Sequence, residues 1–446
     1  MSKSRLIAHV DMNSFFASVE QQANPFLRGR PLGVCAYLHR YGCVIAASIE
    51  AKERGMKVGM TVEEAQKKVP NAAFVENDPG KYRAVTSRVL SILHELTDTI
   101  EHYSIDEAFL DLTGWYRDSA EAAWALTRAR QRITDEVGEW LRCSIGIAPT
   151  RFLAKLGSDI QKPSGLTIIT AQNLDEILLR LDLEDVCGIG PRLRRRIERL
   201  GYRSLVELKR APIPNLIQAF GKNGYFLWAK LNGLEVERVA SDEPPPKSIG
   251  HSYCVPSSVN REGRVEAVLA KLTERAARRL RSHGLLASVV SASVGAESLP
   301  RASPAKRDEP RGPYGFGSDS LGGSRFVRLD EPAGDSFTLT GAATRLLYEL
   351  WDGKTPVNFL AVTFMELTPP TEQGKMSFAC QACGNRTQRL SVAADLVRDK
   401  HGDEALVLGR MFSALAEDAP DRIGFRKTNG ISVQAHGMGS DADRRP

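Results

Sequence analysis

Two adjacent acids, Asp106 and Glu107, lie inside an apolar, β-prone run spanning residues 103–111. Neighbouring side chains of a regular strand point to opposite faces, so a half-buried strand would put one acid in the core, a costly place for an unpaired charge. A tight turn or bulge would let both acids converge on one ligand, and a divalent cation best offsets the repulsion of two crowded carboxylates. A solvated hairpin tip is the alternative. Asp11 closes another β-prone run, residues 5–10, and residues 15–20 then show helical spacing, with Ser14 at the N-cap position and Phe15 and Val19 one turn apart. Free N–H groups at such a helix start can take phosphate oxygens. Asp11, Asp106 and Glu107 together make a site for two Mg²⁺ ions and a triphosphate.

Bringing these acids together takes a sheet and helices to cover it. Residues 85–96, 120–138 and 150–160 read as helices, and residues 141–148 and 166–169 as strands, with the turn Lys162-Pro163-Ser164-Gly165 before the last. This alternation predicts a sheet covered by helices on one face. An inserted stretch carries strand-like residues 31–36 and 43–47 and helix-like residues 48–55 and 61–69. Further on, Gly188-Ile189-Gly190 between two helical patterns is a helix-hairpin-helix signature. Its glycines let the backbone approach a phosphate, and Arg192, Arg194, Arg195, Arg196 and Arg199 follow at once. A solvated basic helix face is the alternative. Residues 220–225 form a weaker second hairpin pattern. Three consecutive prolines make residues 241–247 a stiff linker. Beyond it the pattern predicts a basic helix at 265–282, a strand at 289–294, a Pro/Gly/Ser/Arg-rich loop at 300–323, a strand and helix within 337–351, a strand at 357–367, a helix at 395–416 and disorder over 437–446.

A chain of 446 residues is long enough for several domains, and a net charge of +6 permits a polyanionic partner without demanding one. Its 7 cysteines are scattered, which suggests reduced thiols. The first residues lead straight into a strand without the apolar core of a signal peptide, and no run is apolar enough to span a membrane. The expectation is a cytoplasmic protein with no membrane partner.

Residues 11–20 and 104–110 resemble the two carboxylate motifs of the Y-family (translesion) DNA polymerases, the group that includes bacterial DNA polymerase IV and the catalytic subunit of DNA polymerase V. The likeness runs in order from about residue 6 to about residue 367. It implies an α+β, multidomain right hand: a ferredoxin-like palm (1–20 and 78–170), small fingers (21–77), a helical thumb with helix-hairpin-helix (171–240), a linker (241–247), a little finger (248–367) and a partly disordered C-terminal tail (368–446). It further implies error-prone, template-directed addition of deoxynucleotides to a primer 3′ end, past damaged template bases. Two Mg²⁺ ions would be held by Asp11, Asp106, Glu107 and the carbonyl of Met12. Phe15, Phe16, Ser48, Lys52 and Lys162 would bind the nucleotide, with Phe16 as a steric gate against a ribose hydroxyl. Gly188, Gly190, Arg192 and Arg195 would bind DNA.

The chain departs from the family pattern in places. Triphosphate ligands of the fingers are usually Thr, Tyr and Arg; Ala46, Ile49 and Lys52 stand there, so two hydroxyls are lost and Lys52 keeps a cation without the bidentate fork. The 48–52 stretch looks closer to the polymerase V subunit. Asn13 stands where many relatives carry another Asp. Gln373, Met376 and Phe378 resemble a sliding-clamp-binding peptide, whereas Cys380 and Cys383 lack the second ligand pair that zinc needs and read as plain thiols. The expected partners are primer-template DNA, deoxynucleoside triphosphates and the clamp, with the protein a monomer. A catalytically silent DNA-binding scaffold of the same fold, acting through partners, is the alternative; the intact acids favour the enzyme.

Overall fold

All six residues of β1 (Ile7–Met12) are buried, and the first half of the chain is built around this strand. The computed structural model describes residues 5–39, 42–241, 245–256, 264–296, 322–370, 381–402 and 405–414. They form two compact units, one within Met1–Glu243 and one within Pro244–Asp421. After β1 comes α1 (Phe15–Ala23), then a small sheet of β2 (Leu32–Cys35), β3 (Val44–Ala47) and β4 (Ala73–Glu76) in the order β3-β2-β4. Helices α2 (Ile49–Glu53) and α3 (Val62–Lys68) contribute Ala51 and Ala65 to the separate core of this insertion, with Met56 and Val69. Next come α4 (Pro79–His94), β5 (Ile100–His102), β6 (Glu107–Asp111), α5 (Ser119–Arg132), β7 (Cys143–Ala148), α6 (Arg151–Ile160) and β8 (Leu166–Ile168). The central sheet has the order β5-β6-β1-β7-β8, antiparallel except for the parallel β7–β8 pair.

The two-residue period of β1 divides this sheet into an apolar face and a chemical face. Ala8, Val10 and Met12 join Ala108, Leu110, Ile145 and Ile147 in the main core, with Val89, Leu90 and Leu93 of α4 and Leu126 of α5. Each fully buried Leu or Ile there contributes about 1.5–3 kcal/mol. Ile7, His9 and Asp11 lie on the other face, where Ile7 packs with Phe109 and with Leu153, Ala154 and Leu156 of α6. Helix α6 lies very close to this face, because a Cβ on Gly146 would sit 2.0 Å from the Ala154 carbonyl oxygen. The sheet is thus covered on both sides, not on one as the alternation predicts.

Five helices follow: α7 (Leu174–Leu179), α8 (Pro191–Arg199), α9 (Leu205–Arg210) and the pair α10 (Ile213–Phe220) and α11 (Lys222–Leu231). Gly221 at φ +62° makes the turn between α10 and α11, and the bare Cα of Gly224 lets α11 approach the Leu216 carbonyl. The weak second hairpin pattern therefore is a real helical hairpin.

In the second unit, β9 (Ser248–Cys254), β10 (Leu286–Ala296), β11 (Gly322–Ala333) and β12 (Val357–Thr368) form an antiparallel sheet of order β11-β10-β12-β9. Helices α12 (Arg264–Ser282) and α13 (Ser336–Leu350) pack on it. Helix α14 (Gln381–His401) is fastened to α12 by buried ion pairs: Arg281 takes Asp395 at 2.6 Å, and Arg398 takes Glu274. Several expectations change here. Residues 337–350 are helix throughout, with no strand. The glycine-rich end of the expected 300–323 loop begins β11, which pairing with β10 stabilises. The last helix begins at Gln381 rather than 395 and ends at His401 rather than 416. In the first unit, α4 begins at Pro79 because Asp78 accepts from the Lys81 N–H and caps it. No helix among the described residues is long and apolar enough to cross a membrane. Cys35, Cys143, Cys187 and Cys254 are free thiols. Cys380 and the side chain of Cys383 lie outside the described residues.

Candidate active site

Strand register brings the acids to one end of the central sheet. Asp11 pairs directly with Glu107 across β1 and β6. Asp106 sits in the turn before β6, and its carbonyl accepts the Met12 N–H at 2.9 Å. The turn lets two sequence-adjacent acids serve one sheet end without either entering the apolar core. Thr86 of α4 supports it, donating its hydroxyl to the Ile105 carbonyl at 2.7 Å.

Each acid is held by a resident partner. Lys155 of α6 pairs with Glu107, and the Glu107 carboxylate also accepts from His9 Nε2 at 3.1 Å. His9 is completely buried and burial lowers its pKa, so the neutral ring donates to Glu107 through Nε2–H and faces Ser158 Oγ through Nδ1 at 2.7 Å. The Ser104 hydroxyl donates to Asp106. Lys162 reaches Asp11 at 3.0 Å and Asp159 at 2.8 Å. Burial works to raise the Glu107 pKa, but the His9 hydrogen bond and the Lys155 ammonium outweigh it and hold it down to about 2. Burial pushes Asp11 up to about 7, with Lys162 opposing and Glu107 and Asp106 adding repulsion. Burial also raises Asp106, against the Ser104 hydrogen bond.

Among the described residues, no three His, Cys, Asp or Glu side chains are set as a ready metal-ligand group. The reason is local: the three acids face separate partners, a lysine with an imidazole, a hydroxyl and a second lysine. The donor set nevertheless fits Mg²⁺. Hard carboxylate oxygens lie at one sheet end, two of the carboxyls are pushed toward the neutral form, and an ammonium occupies the place of a cation on Asp11.

The nucleotide-side residues divide into two groups. Lys52 lies at the end of α2 with its ammonium toward the acids: partial burial and the nearby Lys162 lower its pKa, against the pull of Asp11 and Asp106. Phe15 and Phe16 are buried at the start of α1, and the Phe16 ring stacks on Tyr82 with centroids 4.4 Å apart. Tyr82 in turn donates its hydroxyl to Glu20 at 2.7 Å. Ser48 is fully buried, and its hydroxyl accepts from the Leu32 and Ala51 N–H groups, so it supplies the start of α2 rather than a free ligand. Ser14 does not cap α1: it adopts a left-handed conformation at φ 49° and makes no side-chain cap bond, which leaves the first N–H groups of α1 without one.

The alternation of β1 could have revealed His9, two residues before Asp11 on the same face. Lys155 and Ser158 share one face of a helix at i, i+3 spacing, but nothing in the sequence says that face meets His9. Asn13 acquires a role as well. Its amide donates to Ser144 Oγ at 3.1 Å and accepts the Ser164 N–H at 2.8 Å, tying β1 to the turn that carries Lys162. In the hairpin before α8, Gly188 has φ +100° and no atom within 4 Å of a built Cβ at Gly188 or Gly190. Arg194 pairs with Glu198 at 2.8 Å, and Arg196 donates to the Ala219 carbonyl at 2.8 Å. Arg192 and Arg195 are exposed beside the hairpin. Gln373, Met376 and Phe378 lie outside the described residues.

Residues 10–159 match the model of the impB/mucB/samB family, and residues 246–378 match that of the family's C-terminal domain. DNA polymerase IV of Moorella thermoacetica is 33% identical over 400 residues, which cover 89% of this chain and 93% of that protein. The chain belongs to the DNA polymerase IV family of Y-family polymerases. Another member of this family, DNA polymerase IV 2 of Bacillus subtilis, is 30% identical over 423 residues, covering 94% of this chain and 97% of that one. A Y-family DNA polymerase chimera of Dbh and Dpo4 matches with a TM-score of 0.67 and 24% identity, over 82% of this chain and 100% of that one, which shows the shared fold. The expected family and right-hand fold are therefore borne out.

Proposed function

We propose that this polymerase extends a primer 3′ end under template direction and past damaged bases, with Asp11, Asp106 and Glu107 as its reactive centre. The observation that carries this reading is the meeting of these acids at one sheet end, Asp11 opposite Glu107 and Asp106 bonded to Met12, beside the uncapped start of α1. In this reading residues 1–20 and 78–170 are the palm, 21–77 the fingers, 171–240 the thumb, 241–247 the linker, 248–367 the little finger and 368–446 the tail.

The three acids and the Met12 carbonyl would hold two Mg²⁺ ions. What Mg²⁺ supplies there when bound is a more acidic primer hydroxyl and a neutralised triphosphate. The chain's own residues do the rest. His9 and Lys155 keep Glu107 ionised and aimed. Lys162 and Lys52, with the N–H groups that begin α1, take triphosphate oxygens. Phe16, backed by Tyr82, abuts C2′ of the sugar, and Phe15 packs beside it. Arg192, Arg195 and the backbone of Gly188 and Gly190 take DNA phosphates. Gln373, Met376 and Phe378 dock on a sliding clamp, and the protein works as a monomer in the cytoplasm.

Primer extension with purified protein and Mg²⁺, on intact and damaged templates, tests the assignment. Asp106→Ala should lower extension by about 1000-fold, or ~4 kcal/mol, while DNA affinity stays within about twofold. Undiminished extension by the variant refutes the site. Wild-type protein that binds DNA without extending it would make the chain a scaffold.

A further inference from the structure

His94 ends α4 and His102 ends β5, and the turn between these elements brings the two rings together, Nε2 toward Nε2 with their planes nearly perpendicular. Their Nε2 atoms are 3.4 Å apart, with ring centroids at 5.6 Å and planes at 79°. His94 is exposed and His102 partly so. Neither belongs to the acid centre: β5 is the edge strand, and His102 pairs with Ala108.

A separation of 3.4 Å is long for a hydrogen bond between two imidazoles. It is the separation that a shared ion would set. Two imidazole nitrogens at about 2.0–2.1 Å from one tetrahedral metal stand about 3.4 Å apart. The surroundings suit a cation. The rings lie at the C-terminal, negative end of the α4 dipole, and Asp98 in the intervening turn acts on His94 with its negative charge. Partial burial lowers the His94 pKa in spite of Asp98, which favours the neutral, ligating ring.

We propose that His94 and His102 chelate a late first-row divalent ion of the Zn²⁺ class, at an edge site separate from the Mg²⁺ carboxylates. Imidazole pairs select such ions, whereas Mg²⁺ takes oxygen ligands. No third His, Cys, Asp or Glu completes a ligand group among the described residues, so water takes the remaining positions. The bound ion ties the end of α4 to β5, the strand that is hydrogen-bonded to the carboxylate strand β6.

The test is calorimetric titration of the full-length protein with ZnCl₂, after removal of metals and in excess Mg²⁺ so that the acids are occupied. The expected result is one Zn²⁺ per chain that Mg²⁺ does not displace. His94→Gln and His102→Gln, which keep a hydrogen-bonding group at each position, should each weaken it about tenfold or more, since even outer-shell changes at metal sites cost that much. Cys187→Ser, which removes the thiol that is exposed among the described residues, should leave it unchanged. Zn²⁺ should also raise the melting temperature of wild type and not of the histidine variants. Absence of a saturable Zn²⁺ site in wild type, or equal affinity in the histidine variants, overturns the proposal. Circular dichroism identical to wild type establishes that a variant which loses Zn²⁺ is still folded.

Discussion

Lys155→Met asks how much the resident ammonium contributes to holding Glu107. The two side chains are 16% and 19% exposed, so water screens them little. Moving the Glu107 carboxyl from 4.5 down to about 2 corresponds to about 3 kcal/mol, at about 1.36 kcal/mol per pH unit. That figure already includes the opposing effect of burial. The His9 hydrogen bond survives the substitution, and Met relieves the burial of the lysine, so the expected loss is about 1–2 kcal/mol, less than the 3–5 typical of a broken buried pair. The sign follows from linkage. A depressed carboxyl adds stability that is fully present above its unfolded value of 4.5 and is lost as pH falls toward 2. Urea unfolding of metal-free wild type and variant, followed from about pH 7 to about pH 3, should therefore show a constant gap down to about pH 5 that narrows below it. No gap at neutral pH, or a gap that persists undiminished at about pH 3, refutes the pairing.

Phe16→Ala should admit ribonucleotides and, because the Phe16 ring is stacked on Tyr82 in the core, should also lower stability by about 3 kcal/mol; unchanged discrimination in a folded variant would mean that another residue forms the gate. Removing Arg192 and Arg195 together should weaken binding to any DNA sequence and reduce the slope of log affinity against log salt by about 2, since each phosphate contact contributes about 0.9; an unchanged slope would place the DNA elsewhere. Deleting residues 373–378 should abolish stimulation by the sliding clamp and leave unassisted extension intact, and persistent stimulation would reject that peptide as the docking element.

Much of the fold was legible because its periodicities are local. The runs around β1, β6 and β7 and the helical spacing of α6 and α12 identify themselves. What escaped lacked such a pattern. β4 has only four residues, Ala73–Glu76, none of them fully buried, so no alternation marks it. β11 begins Gly322-Gly323-Ser324 and carries Pro332 near its end, a loop-like composition that only pairing with β10 overrides. Ser14 has the right type for an N-cap, but the backbone at the end of β1 turns left-handed there, and no local rule anticipates that.

For the candidate site, the sequence by itself singled out three carboxylates, two of them adjacent in a β-prone run and one ending a strand before a helix. Residue type and spacing suffice for that, because ionisable groups in apolar runs are informative wherever they occur. Only the tertiary structure decided what holds Glu107 and Asp11, whereas Asp106 is held by Ser104 two residues before it. Lys155 and Lys162 come from a helix and a turn far along the chain, and they reach Glu107 and Asp11 because α6 packs against the glycine-thinned face of β7. A charge in a shielded site takes its pKa from neighbours a few ångströms away, and those neighbours are fixed by packing rather than by order in the chain.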